Sequence, residues 1–286
     1  MTRPIRIVQV SDTHLSRKRA YFHDNWQVFV AEMAAHPPDL IVSSGDLSFD
    51  GAADEDDLAF ARIEHDTLAA PWIAIPGNHD IGESMMAVRL DQPIDEARIA
   101  RWRRHIGPQW WQRDMGAWRL VGIDTALLGS GRPEEAEQAQ FLEDSLARRD
   151  GRPVLLFMHM PPFLKDPDAT AFTTLAVPHV LRAQLLETCV AGGVKMIACG
   201  HVHVHNRFAY RGMEIVWGPA TSFFNIIERQ HLGFGVPRPG YIEWTLDEAS
   251  IDWKLIEPPL MITHDVGGWN KAVGSTTKMP ARPLRR

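Results

Sequence analysis

The sequence predicts an α/β fold, and three observations carry that prediction. Short β-branched and aliphatic runs alternate with longer stretches of helical period. Five of the early runs stop abruptly in polar residues rich in glycine, aspartate and histidine. At 286 residues, with 45% hydrophobic and 23% charged residues, the chain has the composition of a globular protein able to bury one large core.

Strands are expected at Ile5–Val10, Leu40–Val42, Trp72–Ile75, Leu120–Ile123, Val154–Met158, Met196–Ala198, Ile215–Trp217, Tyr241–Leu246 and Ile251–Ile256. Helices are expected near Asn25–Ala35, Asp54–Ala69, Asp95–Ile106, Glu134–Arg149 and His179–Ala191. The acidic start Asp54-Glu55-Asp56-Asp57 suits a helix N-terminus, where the macrodipole favours negative charge, and Gly192-Gly193 reads as a helix stop. The last four runs lack intervening helices and are expected to be antiparallel. After Pro258-Pro259 the pattern fades, so residues 1–260 read as one folded domain and 261–286 as a C-terminal tail or flap.

Composition removes several function classes. A net charge of −6 offers no general attraction to nucleic acid or anionic lipid, and Arg282, Arg285 and Arg286 read as a solubilising tail cluster. The opening MTRPIRIVQVSDTH lacks the long apolar stretch of a signal peptide, and no segment approaches membrane-spanning length. Cys189 and Cys199 read as reduced, buried thiols, which makes the cytoplasm the expected location.

The polar strand ends are Ser11-Asp12-Thr13-His14, Gly45-Asp46, Gly77-Asn78-His79-Asp80, His159 and Gly200-His201-Val202-His203. In open α/β sheets the ligand crevice lies beyond the carboxyl ends of the strands, so five separate segments would deliver side chains to one edge. Each piece alone is weak. Asp12 and His14 are two apart on a strand end and would point the same way, as would His201 and His203. Gly45-Asp46 by itself would be a turn, and His159 a satisfied strand-end histidine.

Their order is distinctive. Asp-x-His, Gly-Asp, Gly-Asn-His-Asp, a lone His and Gly-His-x-His, spread from Asp12 to His203, resembles the calcineurin-like metallophosphoesterase superfamily. Gly-Asp-Leu, Gly-His-Val-His, Gly218-Pro219-Ala220-Thr221-Ser222 and Pro239-Gly240-Tyr241 look like the branch of class III cyclic-nucleotide phosphodiesterases and glycerophosphodiesterases. The resemblance implies a four-layer αββα sandwich of two mixed β-sheets flanked by helices, and a homodimer in keeping with many relatives. It implies two divalent ions (manganese, iron or zinc), one held by Asp12, His14 and His203, the other by Asn78, His159 and His201, with Asp46 bridging. A bridging water, acidified to hydroxide, would attack a small-molecule phosphodiester, with phosphomonoesters or phospholipid head-group diesters as the alternative substrates. His79 would stabilise the transition state or protonate the leaving group. The completeness of this ligand set argues against a scaffold that has lost catalysis, and the absence of a basic track argues against nucleic-acid substrates.

One position departs from the pattern. Relatives often carry an acid three residues after the bridging aspartate, where it orients the histidine; here Phe49 stands there, followed by Asp50. Either Asp50 serves from another angle or His79 is not charge-paired. His205 extends the alternation of His201 and His203 but reads first as a partly exposed strand histidine. Trp102, Trp110, Trp111 and Trp118 read as core residues, as do Phe223 and Phe224, which adjoin the expected pocket. The segment from Ile81 to Gly116 is a candidate cap over the metals.

Overall fold

The structure of the protein is a computed structural model that describes residues 3–84, 92–226, 230–233, 236–248 and 250–284. Strands β1 (Ile5–Val10), β2 (Leu40–Ser44) and β3 (Trp72–Ile75) run parallel. The later strands β11 (Tyr241–Leu246) and β12 (Ile251–Ile256) add antiparallel on the β1 side, giving a five-stranded sheet ordered β12-β11-β1-β2-β3. The second sheet has six strands: β4 (Trp111–Met115), β5 (Trp118–Ile123), β6 (Val154–Met158), β7 (Val194–Cys199), β9 (Met213–Trp217) and β8 (Asn206–Tyr210), in that spatial order.

Alternation along the strands builds the layers. Ile7, Leu40, Val42 and Ile75 of the first sheet meet Leu120, Leu155, Phe157 and Val216 of the second in one buried cluster between the sheets. The opposite face of the first sheet, with Val8, Val10 and Ile41, packs on helices α1 (His23–Ala35), α2 (Glu55–His65) and, beyond the short α3 (Asn78–Ile81), α4 (Glu96–His105) through Trp26, Phe29, Leu58 and Trp102. The outer face of the second sheet, with Leu156, Met158 and Ile197, packs on α5 (Pro133–Ala147) and α6 (His179–Ala191) through Leu142, Leu146, Leu185 and Leu186. The expected four-layer αββα arrangement is therefore present. Every residue of β2, β5 and β6 is buried, as strands covered on both faces must be.

Two expectations need correction. Of the last four apolar runs, Tyr241–Leu246 and Ile251–Ile256 are antiparallel, but β7 and β9 pair in parallel. The cause is β8, an edge strand whose half-exposed Asn-Arg-Phe-Ala-Tyr sequence carries no apolar run; it turns the chain back before β9. The segment after Ile81 is also not a simple cap: α4 lies in the outer helix layer with Trp102 fully buried, and Arg98 and Arg101 grip the carbonyls of Ala52 and Gly51. Within that segment, residues 85–91 lie outside the described residues.

The C-terminal residues are docked. A short strand β13 (His264–Asp265) pairs with β10 (Phe223–Phe224), and helix α7 (Gly267–Val273) follows. The chain then runs beside residues 17–21: Ala20 N–H donates to Arg282 C=O at 2.9 Å, and Leu284 N–H donates to Arg17 C=O at 2.9 Å. Arg282 lies over the Tyr21 ring, so it is not a free solubilising charge; Arg285 and Arg286 lie outside the described residues. Cys189 and Cys199 are free and buried, and among the described residues no helix is long and apolar enough to cross a membrane.

Candidate metal centre

The polar strand ends meet at one edge, though not by strand alternation. β1 stops at Val10, and Asp12 and His14 follow with φ of 53° and 45°. Asp46, His201 and His203 share this left-handed backbone, with φ of 53°, 67° and 62°. Only two further non-glycine residues among those described, Asp150 and Arg211, do so. Such conformations cost on the order of 1 kcal/mol or more each and persist where the surroundings over-determine them. Here Asp12 N–H donates to Gly45 C=O and His14 N–H to Asp46 C=O, both at 3.0 Å, zipping the first loop onto the second. Gly77 is required by contact: a Cβ there would collide with the Asp46 carboxylate and backbone.

Asp80 fastens the second loop to the third. Its carboxylate accepts from Leu47 N–H (3.2 Å), Ser48 N–H (2.8 Å), Ser48 Oγ (2.6 Å) and Gly77 N–H (2.9 Å). Burial and the nearby Asp46 push its pKa up to about 6 against those donors.

The side chains form two groups joined by one carboxylate. Asp12, His14, Asp46 and His203 have ligand-capable atoms within 4.8 Å of one another, and so do Asp46, His159 and His201. Asp46 Oδ2 is 3.6 Å from His14 Nε2 and 3.4 Å from His159 Nε2. Asp12 Oδ1 is 3.2 Å from His203 Nε2, and Asn78 Oδ1 is 3.3 Å from His159 Nε2.

Backbone carbonyls set the tautomers. His159 Nδ1–H donates to Ser44 C=O (2.8 Å), His203 Nδ1–H to Phe223 C=O (2.6 Å) and His201 Nε2–H to Thr174 C=O (2.8 Å). A carbonyl can only accept, so in each ring the nitrogen facing it carries a proton. His14 Nε2 lies 3.3 Å from His203 Nε2, while its Nδ1 has no hydrogen-bond partner.

The electrostatics fit cations. Burial and the adjacent His79 hold His14 well below its ordinary pKa, so the ring is neutral. Burial alone would raise the carboxyls of Asp12 and Asp46, but neighbouring histidines outweigh it and hold both low. Burial would lower His159, yet the Asp46 carboxylate overrides it and pushes the ring up to about 9. Clustered imidazoles among ionised carboxylates and an amide oxygen form a donor set for borderline divalent ions, which would displace the proton from His159, without selecting manganese, iron or zinc.

A family model described as calcineurin-like phosphoesterase matches residues 5–205, which contain all of these groups. The chain belongs to the calcineurin-like phosphoesterase family. Among curated relatives it is 29% identical over 267 residues to the 3′,5′-cyclic adenosine monophosphate phosphodiesterase CpdA of Escherichia coli K12, covering 88% of this chain and 85% of that one. It is 28% identical over 206 residues to a probable glycerophosphodiester phosphodiesterase, GpdQ, of Arcobacter nitrofigilis, covering 69% of this chain and 71% of that one. Among solved structures it resembles the purple acid phosphatase PPD1 of yellow lupin (TM-score 0.66, 15% identity), covering 100% of this chain and 58% of that one.

Within this calcineurin-like site, His79 Nδ1–H donates to the Phe49 carbonyl at 2.7 Å, and its backbone N–H donates to Asp46 Oδ1 at 2.8 Å. A carbonyl thus orients the histidine at the departing position; Asp50 instead accepts from Gln92 and pairs with Arg19. His205 lies outside both groups, with Nδ1–H on the Trp217 carbonyl and its ring near Trp253. Phe223 is buried behind the metal centre, 4.7 Å from the His14 ring and 4.4 Å from the His203 ring; Phe224 and Trp102, Trp111 and Trp118 are core residues and Trp110 packs at the core's edge. The sequence reading missed the segment between β6 and α6, which supplies Thr174. Its length of about twenty residues, well beyond an ordinary connection, was the available signal. It also missed Asp124, a buried carboxyl pushed up to about 7 by burial although Gln109 Nε2 (2.8 Å) and Ala126 N–H (2.8 Å) donate to it.

Proposed function

We propose that this calcineurin-like protein hydrolyses a small phosphodiester at a pair of divalent cations. Asp12, His14 and His203 would hold one ion, Asn78, His159 and His201 the other, and Asp46 both. The observation that carries the reading is the place of Asp46 in both ligand groups. Bound there, the cations would offset charge on the phosphoryl oxygens and acidify a water to a nucleophile near neutral pH.

The protein's own residues do the rest. Asp46 and the carbonyl-locked histidines hold the ligand atoms in place before substrate arrives, so little reorganisation accompanies the reaction. With Nδ1–H committed to Phe49, Nε2 is the nitrogen of His79 that exchanges a proton with the departing alkoxide. Asn78 and His79 are only half-buried, which makes theirs the open side of the centre.

A diester is favoured over a monoester by the cavity that adjoins Asn78 and His159. Most of its exposed surface is apolar, and none of its described lining residues is a lysine or arginine. A monoester dianion would meet no extra cation among those described residues, whereas the second ester arm of a monoanionic diester gains apolar contact. Cyclic nucleotides and glycerophosphodiesters, named for the curated relatives, are the first substrates to try.

Manganese-loaded protein should cleave bis-p-nitrophenyl phosphate in clear preference to p-nitrophenyl phosphate; the reverse preference would defeat the diesterase reading. A panel of natural diesters read by phosphorus-31 NMR would identify the product, and metal analysis of the purified protein would identify the ions.

A further inference from the structure

One wall of the cavity beside Asn78 and His159 is a fixed structure with an aromatic ring on its rim. The wall is the segment between β6 and α6. Its neck is closed by Val177 N–H donating to Pro161 C=O at 2.9 Å. The buried Arg182 of α6 donates from Nε to Pro167 C=O at 2.8 Å and from a terminal nitrogen to Ala169 C=O. At its far end the Thr174 carbonyl accepts from His201, one of the clustered histidines. The segment is therefore tied both to the helix layer and to the metal centre. Between those ties stands Phe172, 49% exposed, lining the cavity together with Leu128, Met160, Ala176, Val177 and Pro178.

A half-exposed phenylalanine contributes little to the core, and a ring that lines a cavity beside a polar centre is placed for ligand contact. We propose that Phe172 is a specificity-determining residue, stacking on a flat aromatic group, a nucleobase, carried by the substrate's ester arm. This rests on the diesterase reading and narrows its substrate class. A planar base matches a ring face bordered by aliphatic side chains. A glycerol arm would gain less from this wall, whose exposed surface is mostly apolar although Glu83, Ser84, Thr125 and Thr173 also line the cavity. A quaternary ammonium is best held by several aromatic faces, and Phe172 is the one phenylalanine, tyrosine or tryptophan among the described lining residues.

The test compares kcat/KM for 3′,5′-cyclic AMP with that for sn-glycero-3-phosphocholine in manganese-loaded wild type, Phe172→Ala and Phe172→Trp. The expected result is a wild-type preference for cyclic AMP that falls on the order of 10-fold in Phe172→Ala, mainly through KM, and returns in Phe172→Trp. A wild-type preference for the choline ester, or a ratio unmoved by Phe172→Ala, overturns the proposal. Calorimetric binding of adenosine 5′-monophosphate and of inorganic phosphate gives a second readout: Phe172→Ala should weaken the nucleotide relative to phosphate by the same factor. If neither diester is hydrolysed, the diesterase reading fails. Binding then decides the stacking by itself: a selective loss of nucleotide affinity upholds it, and equal affinities refute it. Matching thermal unfolding midpoints confirm that the surface variants remain folded.

Discussion

The two halves of the metal centre are built from the same residue types and differ in what stands behind them. Behind Asp12, His14 and His203 lies an aromatic cluster of Phe22, Phe49 and Phe223, closed by Val266 from the C-terminal residues. The relative exposures of these three polar residues are 0%, 2% and 4%. Around His159 and His201, at 1% and 9%, the enclosure is less complete: Asn78 is half-buried, and a cavity opens beside it and His159. On the proposed two-cation reading, the closed half would retain its ion and the open half would meet substrate, with Asp46 as their common member.

The largest effect tests that common member. Asp46→Asn should lower turnover by several orders of magnitude and reduce the metal content of both halves while far-ultraviolet circular dichroism stays native. Near-wild-type turnover would remove Asp46 from the role assigned to it. Next, Asn78→Ala should cost about 1,000-fold in turnover yet retain about one equivalent of metal, because only the open half is damaged. Elemental analysis showing that this variant loses both ions, or keeps both tightly, would break the comparison between the halves.

A smaller loss is expected for His79→Ala, about 100-fold on an alkyl diester and much less on bis-p-nitrophenyl phosphate, whose leaving group needs little protonation. Equal losses on both substrates would show that His79 acts on the phosphoryl group rather than on the leaving oxygen.

The smallest effect lies away from both halves and serves as a control on stability. His65 is buried between Trp26 and Trp72, with ring centroids 4.6 and 4.9 Å away, and burial lowers its pKa to about 4 although the Ala61 carbonyl favours the protonated ring. As pH falls below about 6.5, the unfolded chain takes up this proton before the folded one does. The stabilisation from the neutral ring is therefore complete above that pH and lost progressively down to about 4. At pH 5 the loss is about 2 kcal/mol. Urea unfolding at pH 7.5 and pH 5 should show His65→Gln losing less stability on acidification than wild type by about that amount; identical losses would assign the acid sensitivity elsewhere.

Much of this fold was legible because its strands are apolar on both faces. Runs such as Val154–Met158 announce themselves, and the polar residues that interrupt them mark one edge of the molecule. What escaped was structure whose cause is not local. β4 and β8 are edge strands with exposed polar residues, defined by the neighbours they pair with rather than by an apolar pattern. The motif histidines and aspartates were legible as a group, but their means of convergence was not. Alternation along a strand suggested that Asp12 and His14 point one way, whereas left-handed backbone turns each of them inward. The carbonyls of Ser44, Phe49, Thr174 and Phe223, which fix four histidine rings, leave no trace in side-chain identity, since any residue at those positions offers the same oxygen.

The docking of the C-terminal residues has a consequence for how the protein is made. Arg19 lies over the Phe49 ring at 4.7 Å and donates to the carbonyl of Thr277, 258 positions further along, while Phe49 anchors the His79 ring. On the ribosome the loop bearing Phe49 is synthesised long before its brace, which emerges only once the chain has been made as far as Thr277. The histidines and aspartates of the centre, all made by His203, precede that support in the chain, so the bracing of Phe49 and His79 is completed only after Thr277 has been added.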